Sequence, residues 1–134
     1  MPAPRVPGLA SVVVPCFNQL AFTRSCVASL RARTRQPWEL IAVDDGSTDG
    51  TARYFEGVQD GASFPVTIVR HGRNLGFPAA CNAGLAEARG DHLVLLNNDA
   101  VVTDGWLDQL VALADSDPKI GMTGPMSNYA APPQ

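Results

Sequence analysis

The sequence predicts an α/β fold, a parallel sheet of four to five strands with helices on both faces, and three observations predict it. Short β-branched apolar runs alternate with stretches of helical periodicity. Those runs are apolar at nearly every position, as in strands buried on both faces, rather than apolar at every second one. Each run stops at a turn containing Gly, Asn or Asp. With 134 residues, 46% of them hydrophobic, the chain is long enough for one domain with its own core.

The elements follow in order. Residues 1–10 carry three prolines and no periodicity and are expected to form a flexible leader. The run SVVVPCF from Ser11, bounded by Pro15, reads as the first strand; a helix follows over about residues 19–34, with Cys26, Val27 and Leu30 on one face. ELIAV, residues 39–43, reads as the second strand and stops at DDGSTDG, after which Tyr54, Phe55 and Val58 recur at helical spacing. PVTIV, residues 65–69, is the third and ends in RHGRN. The helix after it, over about residues 77–89, aligns Phe77, Ala80, Cys81, Gly84, Leu85 and Ala88 on one face, with Gly90 as its C-terminal stop. HLVLL, residues 92–96, is the fourth strand and runs into NNDA. A last helix turns Trp106, Leu107, Leu110 and Val111 inward, and a fifth strand is expected near Ile120. Right-handed crossovers between such strands give a Rossmann-like layer whose ligand lies beyond the carboxyl ends of the strands. The turns at 15–18, 44–47, 70–76 and 97–99 should therefore converge.

Charge and cysteine usage narrow the function. The net charge is -3 and the ten basic residues are scattered, without the aromatic-interleaved basic run of a nucleic-acid groove, so nucleic acid is not an expected partner. The three cysteines match neither a zinc site nor a disulfide framework and are read as buried or half-buried thiols of a reducing compartment. No apolar run approaches the roughly 20 residues of a membrane span, and the first residues do not read as a signal peptide. The expected location is cytoplasmic, with docking on the inner face of a membrane as an option.

The turns supply the candidate residues. Asp44 and Asp45 at a strand end can accept hydrogen bonds from a nucleobase N–H and ribose hydroxyls, while Gly46 allows the sharp turn. Two adjacent like charges also cost stability unless donors or a ligand meet them. Ser47 and Asp49 read as turn and cap residues. Asp99 of the Asn97, Asn98, Asp99 turn can give a hard oxygen to Mg²⁺ or Mn²⁺, with diphosphate and water completing the shell; an Asx turn explains the same residues without a metal. Asn74, Gly76 and Asn82 flank the start of the small-residue helix, an N-terminus suited to phosphate, although an alanine-rich helix equally reflects tight packing on a sheet. Arg73 reads as a solvated arginine, and His71 and His92 as structural or exposed.

Taken together, VVVPCFN, VDDGSTDGT, NLGFPAACNAGLAEARGD and LLNNDAVV resemble, in order and spacing, the donor half of family 2 glycosyltransferases with the GT-A fold. The resemblance covers residues 11–125. It implies a nucleotide-diphosphate sugar as donor, usually uridine- or thymidine-linked, a divalent metal, and transfer with inversion to a hydroxyl of a glycan or lipid-linked acceptor. It implies that Pro15 with its neighbours Phe17 and Asn18, together with Asp44 and Asp45, holds the base and ribose, and that Asp99 holds the metal. Asn97 stands where the family often has an aspartate, which leaves one carboxylate at that turn. The family's catalytic base and most of its acceptor site lie in a following segment, so residues 126–134 are expected to be a loop leading to an acceptor-binding half, and no base is assigned within this chain. Such a shortened chain is expected to bind nucleotide and to transfer sugar poorly or not at all.

Two other readings stay open at this level. Asp45, Ser47, Asp49, Gly50 and Glu56 match the spacing of an EF-hand calcium loop. A non-catalytic nucleotide-binding or interaction domain would share the same elements. A dinucleotide-binding oxidoreductase is disfavoured, because PCFNQ after the first strand lacks the glycine fingerprint.

Overall fold

The computed structural model describes residues 4–127. The elements alternate as β1 (Val6–Cys16), α1 (Leu20–Arg33), β2 (Trp38–Asp44), α2 (Thr51–Gly61), β3 (Val66–Arg70), α3 (Phe77–Glu87), β4 (Gly90–Leu95) and α4 (Trp106–Asp115). The strands form one parallel sheet in the order β3-β2-β1-β4, with Val12 beside Leu40 on one side and beside Val94 on the other. The chain builds outward from β1 to β3 and then returns to the other flank of β1. The order therefore reverses between β1 and β4.

Strand periodicity sorts the core onto two faces. Val12, Val14, Leu40 and Ala42 meet Cys26, Val27 and Leu30 of α1, Phe55 and Val58 of α2, and Leu107 of α4. Val13, Ile41 and Val43 meet Ala80 and Leu85 of α3 on the opposite face. Helices thus cover both faces. α3 comes close because Gly84 has no side chain: a Cβ there would lie 2.3 Å from Val13 Cγ1 and 2.9 Å from Val43 Cγ2. It lies over β1, β2 and β3, and Leu93 and Leu95 of β4 remain 47% and 50% exposed on that side.

At the amino ends of the strands a buried carboxylate ties three elements together. Glu39, 1% exposed, accepts from Ser11 Oγ at 2.6 Å, from the Arg89 backbone N–H at 2.8 Å, and from Arg89 Nε and Nη2 at 2.9 and 2.7 Å. Every lone pair pointing inward is met, as a charge this deep requires.

Three expectations need correction. Residues 6–10 are strand rather than leader: the Val6 N–H donates to Arg89 O and the Ala10 N–H to Pro37 O, so pairing partners on both flanks overrode the local effect of Pro7 and Gly8. Gly90 is the first residue of β4 and not the stop of α3, which ends with Ala88 in extended conformation. A Cβ at Gly90 would lie 2.3 Å from Leu9 O, so the glycine answers to strand packing. Among the described residues no fifth strand forms; Ile120 closes a turn onto Asp117 O instead. The loop expected at 126–134 falls mostly outside the described residues.

Candidate functional site

The carboxyl ends of the strands bring the four predicted turns together. Pro15 sets the opening. The Val13 carbonyl accepts from Leu96 N–H on the β4 side, and Pro15, two residues on and facing the same way, has no N–H to continue that ladder. Pairing between β1 and β4 ends there and the chain leaves the sheet at Asn97. The crevice lies at the reversal of strand order, where ligands of open parallel sheets bind.

The loop after β1 is strained and held. Asn18 and Gln19 both have positive φ, 54° and 57°, a conformation costing roughly 1–2 kcal/mol per non-glycine residue. Asn18 donates its N–H to Ser47 Oγ at 2.8 Å and accepts from the Thr48 N–H at 2.8 Å. Asp49 accepts from Leu20 N–H at 2.9 Å, capping α1, and from the N–H and hydroxyl of Thr51 at 3.2 and 2.6 Å. Ser47 and Asp49 are turn and cap residues, as read, but they serve two loops at once. Phe17 is left 49% exposed at the mouth.

Asp44 and Asp45 are both nearly buried, at 4% and 3% exposure. Alternation carried one residue past β2 sends them to opposite faces. Asp44 Oδ1 accepts from Ser47 N–H at 3.0 Å, while Oδ2 accepts no hydrogen bond among the described residues and is not a fully covered atom. Asp45 faces α3. Its Oδ1 accepts from His71 Nδ1 at 2.6 Å and Leu75 N–H at 3.0 Å, and its Oδ2 from Gly76 N–H at 2.9 Å. Burial raises the Asp45 pKa, but these donors and the nearby imidazole outweigh it and hold the carboxyl below its ordinary value. The electrostatic objection to adjacent aspartates is met by protein donors. Gly46, at φ 83°, lies so close to the β3–α3 loop that a Cβ would sit 2.5 Å from Arg73 C and Asn74 N.

The remaining candidates are less engaged. Asn98 turns inward and donates to Thr23 Oγ1 at 3.1 Å. Asn97 and Asp99 are exposed, and the Asp99 carboxylate accepts no hydrogen bond among the described residues. No group of three His, Cys, Asp or Glu side chains that could hold a metal ion is gathered among the described residues. A cation at Asp99 would therefore draw on neutral protein oxygens, ligand oxygens and water rather than on a cluster of charged side chains among the described residues. Gly76 is the N-cap of α3, and Asn74 and Asn82 are exposed on either side of it. The anion already seated ahead of that helix is Asp45.

The calcium-loop reading does not survive this geometry. The loop follows a strand rather than a helix, Asp45 is enclosed by the β3–α3 loop, and Glu56 pairs with Arg70 at 2.6 Å. No three of its carboxylates gather around one centre among the described residues. His71 is the site residue that the sequence reading missed, since nothing local separates it from an exposed loop histidine. The parity of Asp45, which aims it at the loop containing His71, is the signal that could have found it.

Comparison with known proteins fits this arrangement. The family model for glycosyl transferase family 2 matches residues 11–130. The glycosyltransferase GlyG of Streptococcus pneumoniae is 31% identical over 118 residues, covering 84% of this chain and 38% of that protein. The crystal structure of Staphylococcus aureus TarS with UDP-GlcNAc superposes with a TM-score of 0.70 at 25% identity, over 79% of this chain and 31% of that one. The mannosyltransferase PcManGT from Pyrobaculum calidifontis, in complex with GDP-Man and Mn²⁺, shares the fold with a TM-score of 0.76 at 24% identity, over 87% and 35% of the two chains. The chain thus spans about a third of the length of these chains.

Proposed function

Because the chain belongs to glycosyl transferase family 2, we propose that residues 11–125 are the nucleotide-sugar-binding half of an inverting transferase that moves a sugar from a UDP- or dTDP-linked donor to a glycan or lipid-linked hydroxyl. The observation that carries the reading is Asp44, a nearly buried carboxylate at the crevice with one oxygen fixed by Ser47 and the other without a partner among the described residues. A carboxylate acceptor in that position suits the N–H of a nucleobase or a ribose hydroxyl. Pro15, Phe17 and Asn18 form the adjoining wall, with Phe17 offering an exposed ring for a base.

Gly46, Asn74, Gly76 and Asn82 lie along the other side, and Asn97, Asn98 and Asp99 at the exit of β4. Asp99 would hold a Mg²⁺ or Mn²⁺ ion together with the diphosphate; the ion would neutralise charge on the leaving group. Asp45 acts from behind, by fixing the loop that carries Asn74 and Gly76. Inversion requires a base to deprotonate the acceptor hydroxyl as it attacks the anomeric carbon from the face opposite the diphosphate. No base is assigned among the described residues, and the reading proposed for them is donor binding.

Isothermal calorimetry with UDP, dTDP and GDP, with and without Mn²⁺, tests the proposal. UDP or dTDP should bind, more tightly with Mn²⁺. Asp44→Asn should weaken binding by about 10- to 100-fold, the worth of a charged hydrogen bond. If no nucleotide binds, the donor-site assignment is wrong.

A further inference from the structure

Resting on that reading of the site, we propose that His71 is a positioning residue for the donor: through Asp45 it locks the β2–α2 turn to the β3–α3 loop and holds that loop in its nucleotide-binding shape. Four hydrogen bonds and one close packing contact between the two turns carry the inference. The His71 backbone N–H donates to Asp44 O at 2.9 Å, which continues the β2–β3 ladder by one bond and brings the imidazole over the turn. Its Nδ1 donates to Asp45 Oδ1 at 2.6 Å, with the two side chains 14% and 4% exposed. The same carboxylate receives the Leu75 and Gly76 N–H groups, the last two before α3 begins. Gly46 then closes directly on the backbone of Arg73 and Asn74.

The loop 72–76 otherwise has little to hold it. Gly72, Arg73, Asn74 and Leu75 are exposed, and no core residue comes from this stretch. Apart from the packing of Gly46 on Arg73 and Asn74, the side-chain hydrogen bonds that hold it go to one carboxylate. Without the imidazole donor, Asp45 is free to rotate away from Leu75 and Gly76, and a buried carboxylate short of a donor draws in water or a proton. Asn74 and the start of α3 would then sample many positions, and the nucleotide would have to order them on binding. His71 touches no ligand in this account. It lowers the ordering cost by fixing the floor beforehand.

Three variants at position 71 and one elsewhere test this. His71→Ala removes ring and donor, His71→Phe keeps volume without a donor, and His71→Asn restores an N–H close to the place of Nδ1. His92→Ala removes a histidine paired with Asp115 far from the crevice and controls for general destabilisation. Amide hydrogen exchange followed by NMR should accelerate at Leu75 and Gly76 by about tenfold or more in the Ala and Phe variants, and return near wild type in the Asn variant. Calorimetry with UDP should give about tenfold weaker binding for Ala and Phe, within about twofold of wild type for Asn and His92→Ala. Where His71→Ala does not fold, the Phe and Asn pair carries the comparison. Unchanged exchange at Leu75 and Gly76, unchanged affinity in the Phe variant, or an Asn variant as weak as Phe would each overturn the inference. If the wild-type chain binds no nucleotide, the donor-site reading fails, while the exchange data still decide the latch.

Discussion

Asp44 and Asp45 are neighbours in sequence with unlike surroundings, because successive side chains of an extended segment point to opposite faces. One is left an open acceptor and the other is enclosed by donors. The same reasoning governs Glu39, whose pKa is raised by burial but brought below its ordinary value by Ser11 and Arg89. Glu39 and Asp45, two of the depressed carboxyls, contribute stability that is complete above the unfolded-state carboxyl range and is lost as pH falls through their lower folded values. His92 acts in the opposite direction: Asp115 raises its pKa against burial, so its contribution is complete at acid pH and lost as pH rises past its folded value. Urea midpoints should thus climb from about pH 3 to about pH 5 and decline slightly above neutrality. Glu39→Gln should cost about 2–4 kcal/mol at pH 7 and flatten the acid limb. A steep acid limb in that variant would move the effect elsewhere.

The helices were legible by periodicity, and α3 shows where such legibility stops. Its small residues allow either ligand approach or tight packing, and the structure shows packing, with Gly84 seated against Val13 and Val43. Alanine in place of an interior helical glycine normally gains about 1 kcal/mol. Here Gly84→Ala should instead destabilise by about 1–3 kcal/mol, since the added methyl overlaps two buried valines on a closely packed sheet. Thermal unfolding monitored by circular dichroism checks the sign. Gly90 meets the same limit through a different contact: a glycine after a helix resembles a stop, and only its packing against Leu9 reveals a strand start.

Across the molecule, protection should follow the sheet order. β1 and β2 are paired on both sides and covered on both faces, whereas among the described residues β4 pairs with β1 alone and leaves Leu93 and Leu95 half exposed. Amides of residues 11–15 and 40–43 should exchange only through global unfolding, and those of residues 92–95 at least about tenfold faster. Equal protection across the four strands would mean that the outer face of β4 is covered in solution. No helix among the described residues is long and apolar enough to cross a membrane.

The sequence by itself determined the order of strands and helices, the parallel sheet and the convergence of four polar turns, because these follow from local periodicity, turn chemistry and the handedness of crossovers. Its motifs also determined the family. Tertiary structure alone decided how far the first strand extends, that Ile120 starts no strand, and which aspartate is open and which is enclosed. The reason is physical: Val6, Asp45 and His71 find their partners at Arg89, Gly76 and Asp45, across distances in the chain that no local pattern spans.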